Sequence, residues 1–356
     1  MHRRAFAPIQ KARCRRQRGL TLIELMIALV IGLLIIAATS VLFAGSSRSR
    51  NEIELSAGVT ENGRYALDVL VRELSQTGFY GSLVKPTTAG TPIVTAAEAA
   101  TAMCLTGNAN LNAWQDSLSY YALGLGSAAG SNIDADPSCI TRKAGTDALF
   151  IQRASTCAVG DPDCPAESSA NAYLQVSECG SEYSATPIVL APGGSGASTF
   201  ALQTKTCAGT PAPKRKLVRR IYYVSPANAL SYQDIPLNGA LPDPVVLVEN
   251  IEQMQIEYAF DTSSPPDGTP DVFAAATNPN VPPALPPYTD WTQVIGVRIW
   301  VLATSGDSSQ NTRNAASFAL GADTSISIAA KAAGNPKRRV YSSYISFVTP
   351  KARRES

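Results

Sequence analysis

The sequence predicts an α+β fold in which one long N-terminal helix packs on an antiparallel β-sheet and a large loop-rich insertion is held by disulfides. Three observations predict it. Residues 20–77 join an apolar run to a stretch with helical periodicity. Residues 215–356 contain four strand-like segments. Between them, residues 78–214 are rich in Ala, Gly, Ser, Thr and Pro and contain six of the seven cysteines.

Charge is unevenly distributed along the 356-residue chain. Seven basic residues and no acid precede Gly19, which leaves 23 basic and 28 acidic residues in the remainder, a net charge of −5. This mildly acidic body lacks the basic face that nucleic-acid binding needs. Because His2 is the only histidine, the chain beyond it has no His-based triad or His-metal site. We therefore expect no cofactor and no enzyme activity, although a cysteine, lysine or carboxylate mechanism stays open.

The segment from Leu20 to Ala44 predicts a membrane-spanning helix. No charged residue occurs from Leu25 to Ser47. The 25 residues of the segment make roughly 37 Å of helix, enough to cross a hydrocarbon core of about 30 Å with some tilt. The basic residues before the span orient the N-terminus to the cytoplasm and the remainder of the chain to the periplasm. We therefore assign residues 1–19 to a cytoplasmic leader and about 20–45 to the membrane.

Glu24 does not fit a simple membrane anchor. A carboxylate at membrane depth costs roughly 2.5 kcal/mol or more unless it finds a partner. A cleaved secretory signal would have an apolar region of about 7–15 residues and a small-x-small cleavage site, but this run is too long and its exit at Ala44 is a poor site. A plain anchor explains the length and the flanking charge but leaves the acid unexplained.

The stretch RGLTLIELMIAL around Glu24 resembles the class III signal of type IV prepilins and pseudopilins. The resemblance implies that a prepilin peptidase cuts between Gly19 and Leu20, removes the leader and methylates Leu20, where the family more often has Phe. It also implies that Glu24, the fifth mature residue, pairs with the N-terminal amine of a neighbouring subunit. We interpret Glu24 as a registration residue for assembly rather than as a catalytic acid, since docking of that subunit would relieve its buried charge.

Helical periodicity continues beyond the membrane segment. An apolar stripe predicts that one helix runs from about Leu20 to Thr77, first apolar all round and then amphipathic, with Gly78 as its stop. The stripe consists of Val59, Gly63, Ala66, Leu67, Leu70, Val71 and Leu74. The segment TENGRYALDVLVRELSQTGFYG, residues 60–81, resembles the same region of PilW-type minor pilins of type IV pili.

Strands are predicted for the last third of the chain, at residues 215–225, 245–261, 291–305 and 338–350. The third has one wholly β-branched face, which we expect to pack against the long helix. That face consists of Ile295, Val297, Ile299 and Val301. In order and spacing the four segments resemble the C-terminal region of PilW-type pilins. Two shorter strands are predicted within the insertion, at residues 146–155 and 184–192.

Six cysteines lie beyond the membrane segment, and their even number predicts three disulfides that staple a region poor in apolar residues. They are Cys104, Cys139, Cys157, Cys164, Cys179 and Cys207, while Cys14 falls in the leader. Of the 15 possible connectivities, the pairing of Cys157 with Cys164 is the obvious local choice. Zinc binding would lack CxxC pairs and histidine ligands, and a nucleophilic cysteine would lack a histidine partner.

Asp261, Asp267 and Asp271 surround a glycine-containing turn in the segment AFDTSSPPDGTPDVF. Hard oxygen ligands with this spacing can hold Ca²⁺, but the alternating acids and terminal Glu of an EF-hand are absent. Asp, Gly and Pro are also the ordinary residues of turns between strands. We favour the turn and keep calcium as the weaker alternative.

These resemblances imply a non-enzymatic minor pilin that takes part in type IV pilus assembly from a tip or priming complex. The implied partners are the prepilin peptidase, other minor pilins, the major pilin and the inner-membrane assembly platform, with no direct contact to nucleic acid. The implied location is the inner membrane, in a single pass, with incorporation into the pilus at the cell surface. Two alternatives stay open: a minor pseudopilin of a type II secretion system, and a pilus-tip adhesive or ligand-binding module formed by residues 82–213.

Overall fold

The computed structural model describes Gly19 and residues 21–83, 103–119, 122–125, 138–275, 291–309, 311–321, 325–331 and 333–355. The predicted leader before Gly19, the predicted methylation site Leu20 and much of the predicted insertion between residues 84 and 137 lie outside these residues. The chain divides into two compact units, Met1–Glu54 and Leu55–Ser356, which we describe in turn.

The N-terminal unit consists, in its described part, almost entirely of helix α1, Leu22–Leu74, which continues into the second unit. Its apolar side chains are exposed, as Phe43 is at 77%. An 18-residue window of this helix has a mean hydropathy of 2.8 and is not buried at all. Within the part of the chain that the structure describes, α1 is the one helix long and apolar enough to cross a membrane. Its apolar surface therefore needs lipid or another protein around it.

The C-terminal unit contains two larger antiparallel sheets and a hairpin. The first sheet has the path β1-β2-β5-β3-β4, and β5 also pairs with β6, which pairs with β7. Its strands are β1 (Ala122–Leu125), β2 (Ala148–Ala158), β3 (Ala172–Val176), β4 (Ile188–Pro192), β5 (Lys214–Val224), β6 (Ala229–Asp234) and β7 (Val245–Glu249). The second sheet has the order β13-β10-β8-β9. Its strands are β8 (Ile251–Phe260), β9 (Val272–Ala275), β10 (Val294–Ser309) and β13 (Asn335–Ser346), and the hairpin pairs β11 (Ala316–Ala319) with β12 (Ser325–Ile328).

Shorter helices occur between and after the strands. The α-helices are α2 (Leu111–Asp116), α3 (Gly180–Tyr183) and α4 (Val348–Glu355). Single 3₁₀ turns occupy Asn108–Asn110, Ser117–Ser119 and Trp291–Gln293.

One hydrophobic core joins the second half of α1 to both larger sheets. From the predicted stripe, Val59, Ala66, Leu70 and Leu74 are buried in the same cluster as residues of β2, β5, β8 and β10. Gly63 is buried as well, Leu67 is half-buried and Val71 is 37% exposed. The β-branched face of β10 is fully buried, and three of its four residues belong to this cluster. The predicted α+β fold, with a long helix, antiparallel sheets and disulfides, is therefore confirmed.

The single strand predicted over residues 245–261 is wrong, because the chain forms two strands there that belong to different sheets. β7 pairs with β6 and β8 pairs with β10. Between them Asn250 adopts a φ of +59°, a left-handed conformation that Asn tolerates better than most residues. The backbone carbonyl of Asn250 accepts the N–H of Thr304 at 2.8 Å, which fixes the corner against β10.

The predicted loop-rich insertion contains more regular structure than its composition indicates. It contributes β1 to β4, and the 11-residue strand β2 pairs with β5 in the first sheet. The strands predicted at residues 146–155 and 184–192 correspond to β2 and β4. The start of β2 carries the buried run Ala148–Ile151, so this part of the insertion is built into the core.

The two larger sheets are bonded to each other where β2 begins. The buried carboxylate of Asp147 accepts the backbone N–H of Ile256 at 2.8 Å, and the Asp147 N–H donates to the carbonyl of Met254 at 2.9 Å. Nearby, Lys143 Nζ donates to the carbonyl of Glu252 at 2.9 Å. These bonds replace the water that the buried polar groups lose on folding.

A polar cluster ties the last turn of α1 to the first sheet. Glu73 Oε2 accepts hydrogen bonds from Tyr222 Oη at 3.1 Å, Arg220 Nη1 at 3.3 Å and Arg153 Nη2 at 3.4 Å. Arg220 also donates to both carboxylate oxygens of Asp234, at 2.7 and 3.2 Å. Burial raises the pKa of Tyr222 above its usual value. Glu73, which lies off the apolar stripe, therefore fixes the helix to the sheet by charge rather than by apolar packing.

Candidate functional site

Glu24 caps its own helix. The N–H and the hydroxyl of Thr21 donate to Glu24 Oε2 at 3.1 and 3.0 Å, and Thr21 Oγ1 accepts the Glu24 N–H at 3.3 Å. This reciprocal arrangement is a capping box, which satisfies backbone N–H groups at the start of a helix. The sequence pattern Thr-x-x-Glu is its signature, and our interpretation of the sequence overlooked it. The carboxylate thus has a partner within its own chain before any subunit assembles.

The predicted cleavage site lies just before this cap. Gly19 is exposed, and no atom of the described residues beyond its chain neighbours lies within 4 Å of the position that a Cβ would take there. Leu20 lies outside the described residues. Cleavage after Gly19, methylation of Leu20 and pairing of Glu24 with a neighbouring subunit therefore stay predictions.

Polar side chains inside the apolar run bond to the helix itself. Thr39 Oγ1 donates to the carbonyls of Ile35 and Ile36, each at 3.0 Å, and Ser40 Oγ donates to the carbonyl of Ile36 at 2.7 Å. A hydroxyl bonded in this way leaves no donor exposed to hydrocarbon. These residues are therefore compatible with a membrane environment, whereas Glu24 carries a charge.

The ENGR segment contains a close approach between α1 and the second sheet. A Cβ added to Gly63 would lie 2.2 Å from ring carbons Cδ2 and Cε2 of Tyr341 in β13. Only a glycine lets the helix backbone pack directly on this ring. The motif that resembles PilW-type pilins thus has a structural role, since it allows the helix to sit close to the sheet.

The GFYG segment at residues 78–81 turns the chain from α1 onto the first sheet. Gly78 and Gly81 have φ values of +75° and +70°, which glycine adopts without strain. The Gly78 N–H donates to the carbonyl of Gln152 at 3.0 Å, and the Phe79 carbonyl accepts the N–H of Ala154 at 2.6 Å. The turn therefore continues the hydrogen bonding of β2.

Three disulfides connect the six cysteines of the insertion. They join Cys104 to Cys139, Cys157 to Cys164, and Cys179 to Cys207. The first contributes to the main core, where Cys139 is buried and Cys104 packs against the cluster. The other two close loops of the insertion with sequence separations of 7 and 28, which reduces the conformational freedom of the unfolded chain.

Asp261, Asp267 and Asp271 act as separate turn residues. Each carboxylate accepts hydrogen bonds from backbone N–H groups of its own loop. The bond from the Thr262 N–H is the main reason that the pKa of Asp271 lies below its usual value. The donors are Ser263 and Gly268 for Asp261, Thr269 for Asp267 and Thr262 for Asp271, at 2.7 to 3.2 Å. Among the described residues no group of three or more His, Cys, Asp or Glu is placed to hold a metal ion. These bonds fit the turn that we favoured.

Two segments of the chain match known families. Residues 14–40 match the family described as the prokaryotic N-terminal methylation motif, and residues 205–348 match the family described as Type IV Pilus-assembly protein W. A search of curated proteins gave no match. A solved structure, a type IV-like pilin from Thermus thermophilus, is similar with 11% sequence identity and a TM-score of 0.34, over 85% of this chain and 97% of that chain.

The exposed apolar helix, the methylation motif at its start and the antiparallel sheets define a type IV pilin-like protein. Within this class, the match over residues 205–348 supports the PilW type, which confirms the resemblance predicted from the sequence. The family is one of structural pilus proteins rather than enzymes. The two family matches suggest a role in pilus assembly, processing by a prepilin peptidase and contact with other pilus components. The motif and the long apolar helix together suggest a single-pass inner-membrane pilin.

Proposed function

We propose that this protein is a minor pilin that helps to start type IV pilus assembly as part of a tip or priming complex. The observation that carries the proposal is the presence in one chain of the methylation motif at residues 14–40 and the PilW match at residues 205–348. The proposed topology places the leader in the cytoplasm and the unit from Leu55 onward in the periplasm, in keeping with the basic residues before the span. The proposed partners are other minor pilins, the major pilin and the inner-membrane assembly platform.

The first test is the mature N-terminus. We expect mass spectrometry of the purified protein to find a chain that begins at N-methylated Leu20, because the peptidase cuts after Gly19. A Gly19→Arg variant is the matched control and should keep its leader. A natural protein that retains Met1 through Gly19, or that begins beyond Ala44, would contradict assignment to the prepilin class.

The second test separates the pilus from the type II secretion system, whose minor pseudopilins carry the same motif. We expect deletion of the gene to reduce the number of pili per cell at least tenfold, because a priming subunit acts before the fibre grows, and to leave secretion of exoproteins unchanged. Electron microscopy counts the pili, and enzyme activity in the culture medium measures secretion. The opposite pattern, normal pili with lost secretion, would assign the protein to the secretion system.

A further inference from the structure

The first sheet contains a cleft between β3 and β6. Both strands lie along the same edge of β5, since β3 pairs with it at residues 214–216 and β6 at residues 220–224, while β2 occupies the other edge. The cleft has a volume of about 530 Å³, which lies within the range of small-molecule sites in proteins. Its size therefore admits an organic ligand.

Hydrogen bonds hold the wall of the cleft that follows β6. The Asn238 N–H donates to the carbonyl of Ala170 at 3.0 Å. The side-chain Nδ2 of Asn238 donates to Asn108 Oδ1 at 2.7 Å and to the carbonyl of Ser169 at 3.3 Å. These bonds join the loop after β6 to the segments that precede α2 and β3. The cleft is therefore a formed recess.

Three cations point to the same face of β5, because alternate residues of a strand share a face. They are Lys214, Lys216 and Arg220. Lys214 Nζ donates to both carboxylate oxygens of Glu167 at 2.7 Å, and Arg220 donates to both oxygens of Asp234 at 2.7 and 3.2 Å. Lys216, between them, is half-buried and makes no hydrogen bond or ion pair with any described residue. The first and last cations of this row have an acid, and the middle one has none.

Asn171 accompanies Lys216 in the wall of the cleft. Both residues also line a smaller cavity of about 70 Å³ beside the Cys157–Cys164 disulfide, so the two cavities meet at this pair. Asn171 is half-buried, and its side-chain amide makes no hydrogen bond within the described part of the chain. An ammonium and a primary amide both supply N–H donors. The wall therefore offers donors of two kinds to one acceptor.

The other charged residues of the lining do not provide that acceptor. The carboxylate of Asp234 is already engaged by Arg220. Arg219, three residues from Lys216, points to the opposite face of β5, where its guanidinium lies 4.1 Å from the centre of the Trp114 ring. Asp243 is exposed and does not line the cleft. The described lining thus contains three cations and one carboxylate, which favours an anion in the cleft.

The remainder of the wall is largely apolar. Side chains of β5 and of the segment after β6 contribute to it: Leu217, Val218, Ile235, Pro236 and Leu237. Sites for small molecules are typically concave and mostly apolar, with a few polar groups that fix the orientation of the ligand. This composition fits a ligand with an apolar body and one charged group.

We propose that the cleft binds a small organic carboxylate, whose charged group accepts hydrogen bonds from Lys216 and Asn171 and whose body lies along the apolar wall. This ligand site goes beyond the proposed function and does not depend on it. A carboxylate fits because charge-assisted hydrogen bonds from an ammonium are stronger than those between neutral groups, and because Lys216 has no acid among the described residues.

The test uses the full-length protein in nanodiscs of a zwitterionic lipid. The probes are phenylacetate, 4-phenylbutyrate and 1-naphthylacetate, and each is compared with its uncharged primary amide. Isothermal titration calorimetry measures binding, with empty nanodiscs as the reference for partition into lipid. We expect at least one acid to bind saturably and its amide to bind about tenfold more weakly, because the amide cannot form a charge-assisted hydrogen bond.

Two substitutions of lysine then locate the site. Lys216→Met keeps an apolar side chain of similar length and removes the charge, and we expect it to weaken binding of the acid about tenfold. Lys205→Met is the matched control at an exposed lysine outside the cleft lining, and it should leave binding unchanged. Asn171→Leu, which removes the amide donor, should also weaken binding of the acid. Thermal unfolding of each variant checks that it is folded.

Three results would overturn the proposal: no acid of the set binds, the amides bind as tightly as the acids, or Lys216→Met and Lys205→Met have the same effect. The comparison of acid with amide uses the unchanged protein, so it decides the matter even where a variant does not fold. The pilus count in the gene-deletion strain bears on the proposed function alone.

Discussion

Replacing Glu24 with alanine is expected to leave cleavage after Gly19 intact and to abolish incorporation of the protein into pili. The reason is electrostatic. A carboxylate at membrane depth costs roughly 2.5 kcal/mol or more. The two hydrogen bonds from Thr21 reach one carboxylate oxygen of Glu24, Oε2, and do not neutralise its charge. A neighbouring subunit with a free N-terminal amine would supply the missing positive charge. The measurement is an immunoblot of sheared pili against the membrane fraction.

Two further variants separate the charge of Glu24 from its cap. Glu24→Gln keeps a side chain that can complete a capping box but removes the charge, and we expect it to fail in assembly as the alanine variant does. Thr21→Ala removes the cap, which costs about 1 kcal/mol of helix stability, but keeps the charge, and we expect it to assemble. Normal incorporation of either Glu24 variant would refute the registration role.

The N-terminal half of the fold could be predicted because its signals are local. Apolar composition, charge asymmetry and helical spacing act within one helix, and α1 ends at Leu74, just before the predicted stop at Gly78. The cap at Glu24 was equally local, since Thr21 lies three residues away, and could have been found by applying the capping pattern. What could not be found is the arrangement of groups that meet only in the folded chain.

The division of residues 245–261 between two sheets is such a case. The apolar pattern of this segment does not by itself place the break between the strands, because Val245–Val248 are all apolar and strict alternation begins only at Met254. The break between β7 and β8 lies at Asn250, which has a positive φ. Its backbone carbonyl is held by a hydrogen bond from the N–H of Thr304 in β10. The Cys104–Cys139 disulfide likewise joins residues 35 positions apart, and counting cysteines gives their number but not their pairing.

Composition alone understates the regular structure of the insertion. Its Ala, Gly, Ser, Thr and Pro indicate loop when taken as an average, but β2 and the short strand β3 complete their hydrogen bonding with β5, which follows them in the chain. β-structure depends on such partners far more than on the residues of a single strand.

Gly63→Ala is expected to destabilise the C-terminal unit by about 2 kcal/mol, within the range for overpacked cores. In an open helix the same change would stabilise, because glycine costs about 1 kcal/mol relative to alanine. Here the new methyl group would lie 2.2 Å from Tyr341 ring carbons, so the helix and β13 must separate. The Tyr341 hydroxyl is buried and the side chain packs against the core, so the ring has little room to move away. Thermal unfolding of the detergent-solubilised full chain measures the effect.

Gly58→Ala provides the matched control in the same helix, because among the described residues no atom outside the backbone of the helix itself lies within 4 Å of its Cβ position. We expect this variant to raise the unfolding temperature slightly while Gly63→Ala lowers it. A double-mutant cycle with Tyr341→Leu then tests the mechanism, because a smaller side chain at position 341 should recover part of the loss caused by alanine at position 63. If Gly58→Ala and Gly63→Ala shift the unfolding temperature in the same direction, the loss cannot come from the ring of Tyr341, and the close contact between α1 and the second sheet does not explain the glycine.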